Sequence, residues 1–338
     1  MKVTKVILCL ILGALSLNLW AGRDVKEFKD ILWAQPEGFK LTADVYTQET
    51  KKKLPVLIIF HGGGWLLNSK DIMSDLAKYV ASNTDMVVVN ANYRLLADVN
   101  NSTTMNQIVE DAMGAVLWVK DNIAQYHGDP SRIAITGDSA GGHLAAMIVM
   151  AGNKLESDGF QGASLGFKPT YLPKGKSVKD IAQAGGIQVQ AAILSYPALD
   201  LRSSPKQGFE TANNPFWGWA KAQPRGMFGA GNTIDNHPEY YAAVSPVTYL
   251  DGLSKNSLPP ELMILGESDP FIPREVVQQY VDAVKASGND IQFELVKDRG
   301  HGFLDAGCND YNHGCFKDLA FPTVEHMVTF LNSVFYPK

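Results

Sequence analysis

Ser139 lies in GDSAGG (137–142), a single hydroxyl among glycines where the apolar run RIAIT (132–136) gives way to HLAAMIVMA (143–151). A Gly-x-Ser-x-Gly turn between strand and helix holds its serine in a strained, exposed conformation. The helix that follows directs backbone N–H groups and partial positive charge at the serine oxygen, which favours an anionic intermediate there. A serine hydroxyl is a weak nucleophile near neutral pH, so such chemistry also needs a base within reach and a group that orients the base.

The same six residues could form a tight structural turn or a phosphate loop, and what shifts the reading is HGGGW (61–65), directly after the apolar run LPVLIIF (54–60). Consecutive glycines after a buried strand let backbone amides approach a ligand closely. With the amide of Ala140, those of Gly62 and Gly63 could surround a developing oxyanion. Of the seven histidines, His301 in DRGHGF follows the strand-like IQFELV (291–296). His61 belongs to the glycine turn, His143 sits on the helix after Ser139, and His127, His237, His313 and His326 have no strand end behind them. For the acid, Asp269 in LGESDPF follows ELMILG (261–266), with Glu267 and Asp200 as rivals. The chain order is thus Ser139, Asp269, His301.

These residues can meet only if short buried strands deliver them to one edge. Apolar runs at 54–60, 86–93, 132–136, 190–196, 261–266 and 291–296 read as strands, several with little polar alternation, as expected when both sheet faces are covered. Helical stripes separate them: 104–126, 274–288 with Gly288 at the cap position, and 323–335. Segments 27–35 and 40–48 look like an antiparallel edge pair, which makes the sheet mixed and the fold α/β. Residues 152–189 are polar and Gly-rich, and 202–250 carry many aromatics and prolines without a clean period. Structureless loops of that length are uncommon in a compact domain, so both read as insertions with local structure, the second as a cap or lid.

The motifs HGGGW, NANYRL, HGDPSRIAITGDSAGGHLAAM, LGESDPF and GHGF, in that order over about residues 50–335, resemble the α/β-hydrolase fold serine esterases of the carboxylesterase and hormone-sensitive-lipase-like group. The resemblance implies a mostly parallel central sheet with helices on both faces and inserted cap segments. It implies Ser139, Asp269 and His301 as the triad, Gly62, Gly63 and Ala140 as the oxyanion hole, and no metal or organic cofactor. One departure stands out: lipase-like members usually continue APE after NANYRL, whereas this chain reads LADVNNSTTM. Trp65, beside the glycine turn, is the best single candidate for a substrate-contacting wall. The aromatics between 209 and 241 could stack on sugars or line an acyl pocket, although core packing explains such sets more often.

At 338 residues, 46% hydrophobic and 19% charged, the composition is globular. Residues 1–21 read as a secretory signal: Lys2 and Lys5, an apolar stretch short for a membrane span, and Ala21 for cleavage. Cys9 lies inside that stretch rather than at the cleavage point, so a soluble exported chain, secreted or periplasmic, is expected over an anchored one. The net charge of −5, more negative once the two leader lysines are removed, argues against nucleic acid partners. Cys308 and Cys315 in the polar loop CNDYNHGC are expected to pair in an oxidising compartment. The alternatives are a metal site of Cys308, His313 and Cys315, or free thiols.

The exported character, the inserted segments and the cysteine loop beside His301 look like secreted bacterial esterases. By that analogy the substrate is a small-molecule or carbohydrate ester, of short-chain, acetyl or feruloyl type. A peptidase or amidase with the same triad, and a non-catalytic binding protein on the same fold, are the rival readings.

Overall fold

A computed structural model describes residues 22–309 and 311–337; the expected leader, 1–21, lies outside the described residues. Eight strands form one sheet in the order β1-β2-β4-β3-β5-β6-β7-β8. They are β1 (Lys26–Ala34), β2 (Leu41–Thr47), β3 (Leu54–Phe60), β4 (Val87–Ala91), β5 (Gly128–Asp138), β6 (Ala191–Ser195), β7 (Glu261–Gly266) and β8 (Ile291–Val296). β1 pairs antiparallel with β2 and β2 with β4, while the pairs from β4 through β8 are all parallel. All six strand runs and the antiparallel edge pair are therefore found. Every residue of β3, β6 and β7 is buried, which is why those runs lack polar alternation.

Parallel strands need crossovers, and four of the five long helices supply them, the fifth following the last strand. The five are α1 (Ser74–Asn83), α2 (Met105–Asn122), α3 (Ala140–Ala151), α4 (Arg274–Ala286) and α5 (Thr323–Phe335). α2 starts on a capping box in which Thr104 and Gln107 satisfy each other's amides. It stops four residues short of the expected end, where Ile123–Tyr126 tightens into a 3-10 turn closed by left-handed His127. Gly288 does follow α4 in the left-handed conformation, with φ 78°, and its amide reaches the Lys285 carbonyl at 3.0 Å. No sequence feature announced α1.

The two insertions do contain local structure. Residues 152–189 include a short helix, Val178–Gln183, and a bridge between Leu155 and Phe167. Residues 202–250 hold the short helices Pro215–Trp219 and Pro238–Ala243 and bury Trp217, Met227, Phe228 and Tyr241. Arg225 ties this segment to the loop after β4, donating to the carbonyls of Leu96, Asn101 and Thr103. Among the described residues no helix is long and apolar enough to cross a membrane.

The motif NANYRL turns out to be bracing. Arg94 makes a two-pronged bond to buried Asp111 on α2, at 2.8 Å for each prong. Tyr93 stacks on His61 at 4.4 Å and donates its hydroxyl to the His61 carbonyl at 2.6 Å. The loop after β3 is thereby pinned to the loop after β4.

Candidate active site

In a parallel sheet the carboxyl ends of the strands share one edge, and four of them converge here. The glycine loop follows β3, Ser139 follows β5, Asp269 follows β7 and His301 follows β8. Because β3 lies directly beside β5, with Phe60 in register with Gly137, the glycine loop and the serine turn are neighbours.

Ser139 has φ 52° and ψ −114°, a left-handed conformation that costs a residue with a Cβ about 1–3 kcal/mol. The strain is held by close packing. The Ser139 amide donates to Ser195 on β6 at 2.9 Å, and Gly141 lets the first turn of α3 lie against the end of β3. A Cβ on Gly141 would stand 2.0 Å from the Phe60 carbonyl oxygen.

His301 Nε2 stands 2.8 Å from Ser139 Oγ, and its Nδ1 stands 2.8 Å from Asp269 Oδ2. With Nδ1–H donating to the carboxylate, Nε2 is left as the acceptor for the serine proton. The Asp269 side chain is 1% exposed and that of His301 13%, so the acid is sealed in while the base keeps a face to the substrate side. The other carboxylate oxygen, Oδ1, accepts the amides of Phe271 and Ile272 at 2.8 and 3.0 Å, which fixes the acid's rotamer. The three predicted residues therefore meet. Of the rivals, Glu267 is exposed and Asp200 is engaged in a two-pronged bond to Arg202.

The glycine loop distributes its amides differently from the expected set. Asp138, buried beside the nucleophile, accepts the Gly62 amide, and a Cβ on Gly62 would meet its Oδ2 at 2.4 Å. Burial pushes the Asp138 carboxyl up, against the opposing pull of the His301 charge and the Gly62 amide. Gly62 is thus committed to holding the loop. Gly63 and Gly64, both at positive φ, find no backbone acceptor among the described residues, and the Ala140 amide opens α3. Gly64 was not among the sequence candidates. Asp138, the partner of Gly62, went unnoticed because nothing in its type or spacing marks a loop fastener.

His61 and His143 are structural. Burial lowers both to about 4, so both are neutral. His61 Nδ1 donates to the Gly62 carbonyl at 2.7 Å, and His143 Nε2 donates to the Val244 carbonyl at 2.8 Å. Trp65 joins this frame rather than lining the site. Only 4% exposed, it donates its indole N–H to His143 Nδ1 at 3.2 Å and packs edge-on against Phe209. The expected ligand wall is thus a brace between glycine loop and α3.

Cys308 and Cys315 are disulfide-bonded and close a two-stranded hairpin, β9 (Cys308–Asn309) with β10 (Gly314–Cys315). The pairing consumes both thiols of the alternative metal set. Asn312, inside the hairpin, donates to the carbonyl of Gly302, next to the catalytic-position histidine, at 2.6 Å. A cavity of about 500 Å³ lies away from these residues, lined by Met150, Lys154, Ile187, Tyr249 and Leu258 among others.

A strained serine on a strand-to-helix elbow, an imidazole bridging it to a sealed carboxylate, and a glycine loop alongside define a serine hydrolase of the α/β-hydrolase fold. Comparison with known proteins agrees. The chain is 26% identical over 256 residues to carboxylesterase NlhH of Mycobacterium tuberculosis, covering 75% of this chain and 68% of that one. It is 28% identical over 242 residues to esterase LipQ of the same organism, covering 70% and 47%. Among solved structures it resembles a thermophilic esterase of Thermogutta terrifontis, Est2, in native form, with TM-score 0.63, 25% identity, and 94% and 95% coverage. The propionate-bound form matches with the same TM-score and identity and with 94% and 97% coverage. The BD-FAE family matches residues 43–283, and the chain belongs to it. It is a carboxylic ester hydrolase.

Proposed function

We propose that this hydrolase works through an acyl-enzyme on short-chain or carbohydrate-linked esters, of acetyl or feruloyl type. The observation that carries the mechanism is His301 within 2.8 Å of both Ser139 Oγ and the Asp269 carboxylate. Ser139 Oγ adds to the ester carbonyl carbon while His301 Nε2 takes the hydroxyl proton, and the carbonyl π electrons move onto oxygen. Gly63, Gly64 and Ala140 amides receive that oxyanion, and Asp269 stabilises the imidazolium. The intermediate collapses, the C–O bond to the alcohol breaks, and His301 passes its proton to the departing alkoxide. Water, deprotonated by His301, then releases the acid and restores Ser139.

A small acyl group is supported by the propionate-bound relative Est2. Export is supported by the leader-like residues 1–21 and by the disulfide, a bond that persists in oxidising compartments. N-terminal sequencing of protein recovered from the periplasm or medium is expected to begin after Ala21; an intact N-terminus on a cytoplasmic product would refute export.

The mechanism is tested with a fluorophosphonate probe and mass spectrometry. Wild type should carry one adduct on the Ser139 peptide and lose turnover of p-nitrophenyl acetate, while Ser139→Ala stays unlabelled. Amino acid p-nitroanilides cleaved in place of esters would move the assignment to an amidase, and an unlabelled wild type would remove the nucleophile altogether.

A further inference from the structure

The described surface exposes few large hydrophobic side chains, and three of them, Trp219, Phe271 and Tyr311, at 64%, 49% and 56%, belong to one connected file of rings. Phe271 meets the His301 ring edge-on at 5.2 Å. Tyr311 lies 6.3 Å beyond it, within 21° of parallel. On the other side Phe216 stands 6.5 Å from Phe271, and Trp219 stands 5.4 Å from Phe216. A contiguous apolar patch at the mouth of a reacting centre marks a place where a ligand covers it.

Phe271, against the imidazole, and Tyr311, beyond it, are fixed at their backbones. Phe271 is held by the Asp269 carboxylate that accepts its amide at 2.8 Å. Tyr311 rides on the disulfide-closed hairpin, whose base is tied to the segment before β4 by bonds from Ala306 to the Ile72 carbonyl at 2.7 Å and from Gly307 to Asp75 at 2.8 Å. Asn312, the next residue, anchors the hairpin to Gly302. A surface ordered before binding loses little freedom when a ligand arrives.

Position decides which half of the ester it meets. The departing oxygen must come within about 3 Å of His301 Nε2 to collect its proton, so the alcohol's carbon frame extends from the imidazole edge. Phe271 packs against the imidazole and Tyr311 against Phe271, whereas the glycine loop holds the carbonyl oxygen. We infer that Phe271 and Tyr311 form the subsite for the alcohol half of the substrate, and that it selects alcohols bearing a six-membered ring. Such a ring is either a pyranose offering C–H groups to the aromatic faces or an arene offering its own face. This rests on the ester hydrolase reading above, and adds the residues that choose the alcohol.

The test compares three acetate esters, ethyl acetate, benzyl acetate and methyl 6-O-acetyl-glucopyranoside, on the full chain. Phe271→Ala and Tyr311→Ala should each lower the ring-to-ethyl ratio of kcat/KM about three- to tenfold, carried by KM, while Tyr311→Phe keeps it. The benzyl and glucoside arms tell an arene from a pyranose. Leu32→Ala, an exposed side chain on β1 remote from the triad, should leave the ratio unchanged. Replacing both cysteines by serine should lower the ratio as Tyr311→Ala does. Binding of the uncleaved ring esters to Ser139→Ala, read by ligand-observed NMR, should weaken when either aromatic is also removed. Equal ratios and equal binding with and without the two rings overturn the subsite. Wild type cleaving none of the three esters would defeat the hydrolase reading instead, and the binding measurement still decides the subsite.

Discussion

Substituting Gly141 by alanine tests whether the serine turn owes its geometry to contact with β3. The added Cβ would stand 2.0 Å from the Phe60 carbonyl oxygen, 2.5 Å from its carbon and 2.7 Å from the His61 carbonyl oxygen. All three are backbone atoms, so no side-chain rotation relieves them. Non-bonded carbon and oxygen approach no closer than about 3 Å, and separating them requires a shift on the order of 1 Å between α3 and the end of β3. That shift acts between Ser139 and the glycine loop, the two parts that must share one carbonyl group. A misplacement of about 1 Å costs on the order of a hundredfold in rate, and overpacking of this kind costs about 1–3 kcal/mol of stability. The assay is kcat for p-nitrophenyl acetate, normalised to folded sites by fluorophosphonate titration, alongside a thermal melt. Gly252→Ala, whose Cβ would meet nothing within 4 Å, is the control and should behave as wild type. A Gly141→Ala enzyme within threefold of wild-type kcat and with an unchanged melting temperature would refute the reasoning.

Two further substitutions address the acid and a buried carboxyl far from it. In Asp269→Asn the amide oxygen can keep the Phe271 and Ile272 amides, which puts the NH₂ against His301 Nδ1 and forces the proton onto Nε2. Such a histidine cannot take the serine proton, so kcat should fall about ten-thousandfold with the melting temperature little changed; a loss of less than tenfold would show that Asp269 does not set the tautomer. Glu261, at the start of β7, is fully buried, pairs one oxygen with the Tyr280 hydroxyl at 3.0 Å, and is pushed up to about 8 by burial. Its raised value means that the stability it contributes is complete below the unfolded value of about 4.5 and is lost as pH rises through about 8. Glu261→Gln should therefore raise the denaturation midpoint at pH 8 and leave it nearly unchanged at pH 5, and an equal effect at both would contradict the protonation argument.

How much of this was legible in the sequence depended on where the physical constraint lies. Ser139 and Asp269 could be read because each follows a strand end buried on both faces, which is a continuous apolar run, and His301 because it follows the strand-like run of the edge strand β8. Gly137 and Gly141 could be read because close backbone approach admits few other residues. The division of labour in HGGGW could not. That Gly62 serves Asp138 and that Trp65 bonds His143 are contacts across separate loops, and no local pattern encodes them. Phe271 and Tyr311 were passed over for the same reason. An aromatic in a loop reads as core until the fold shows Phe271 against the imidazole and Tyr311 beyond it, at 49% and 56% exposure. Helix α1 escaped because its buried face consists of only Leu76, Ala77, Val80 and Ala81 in an otherwise polar segment.

The hydroxyl and the imidazole that share a proton are separated by 162 positions along the chain. The carboxylate enters between them, and the strand preceding the imidazole is the last to join the edge of the sheet. Hydrolytic capacity therefore has no partial form: a polypeptide still emerging from the ribosome, or truncated before residue 301, has a solitary alcohol with nothing to activate it. The molecule becomes reactive toward esters only when its last strand and the loop after it have been added.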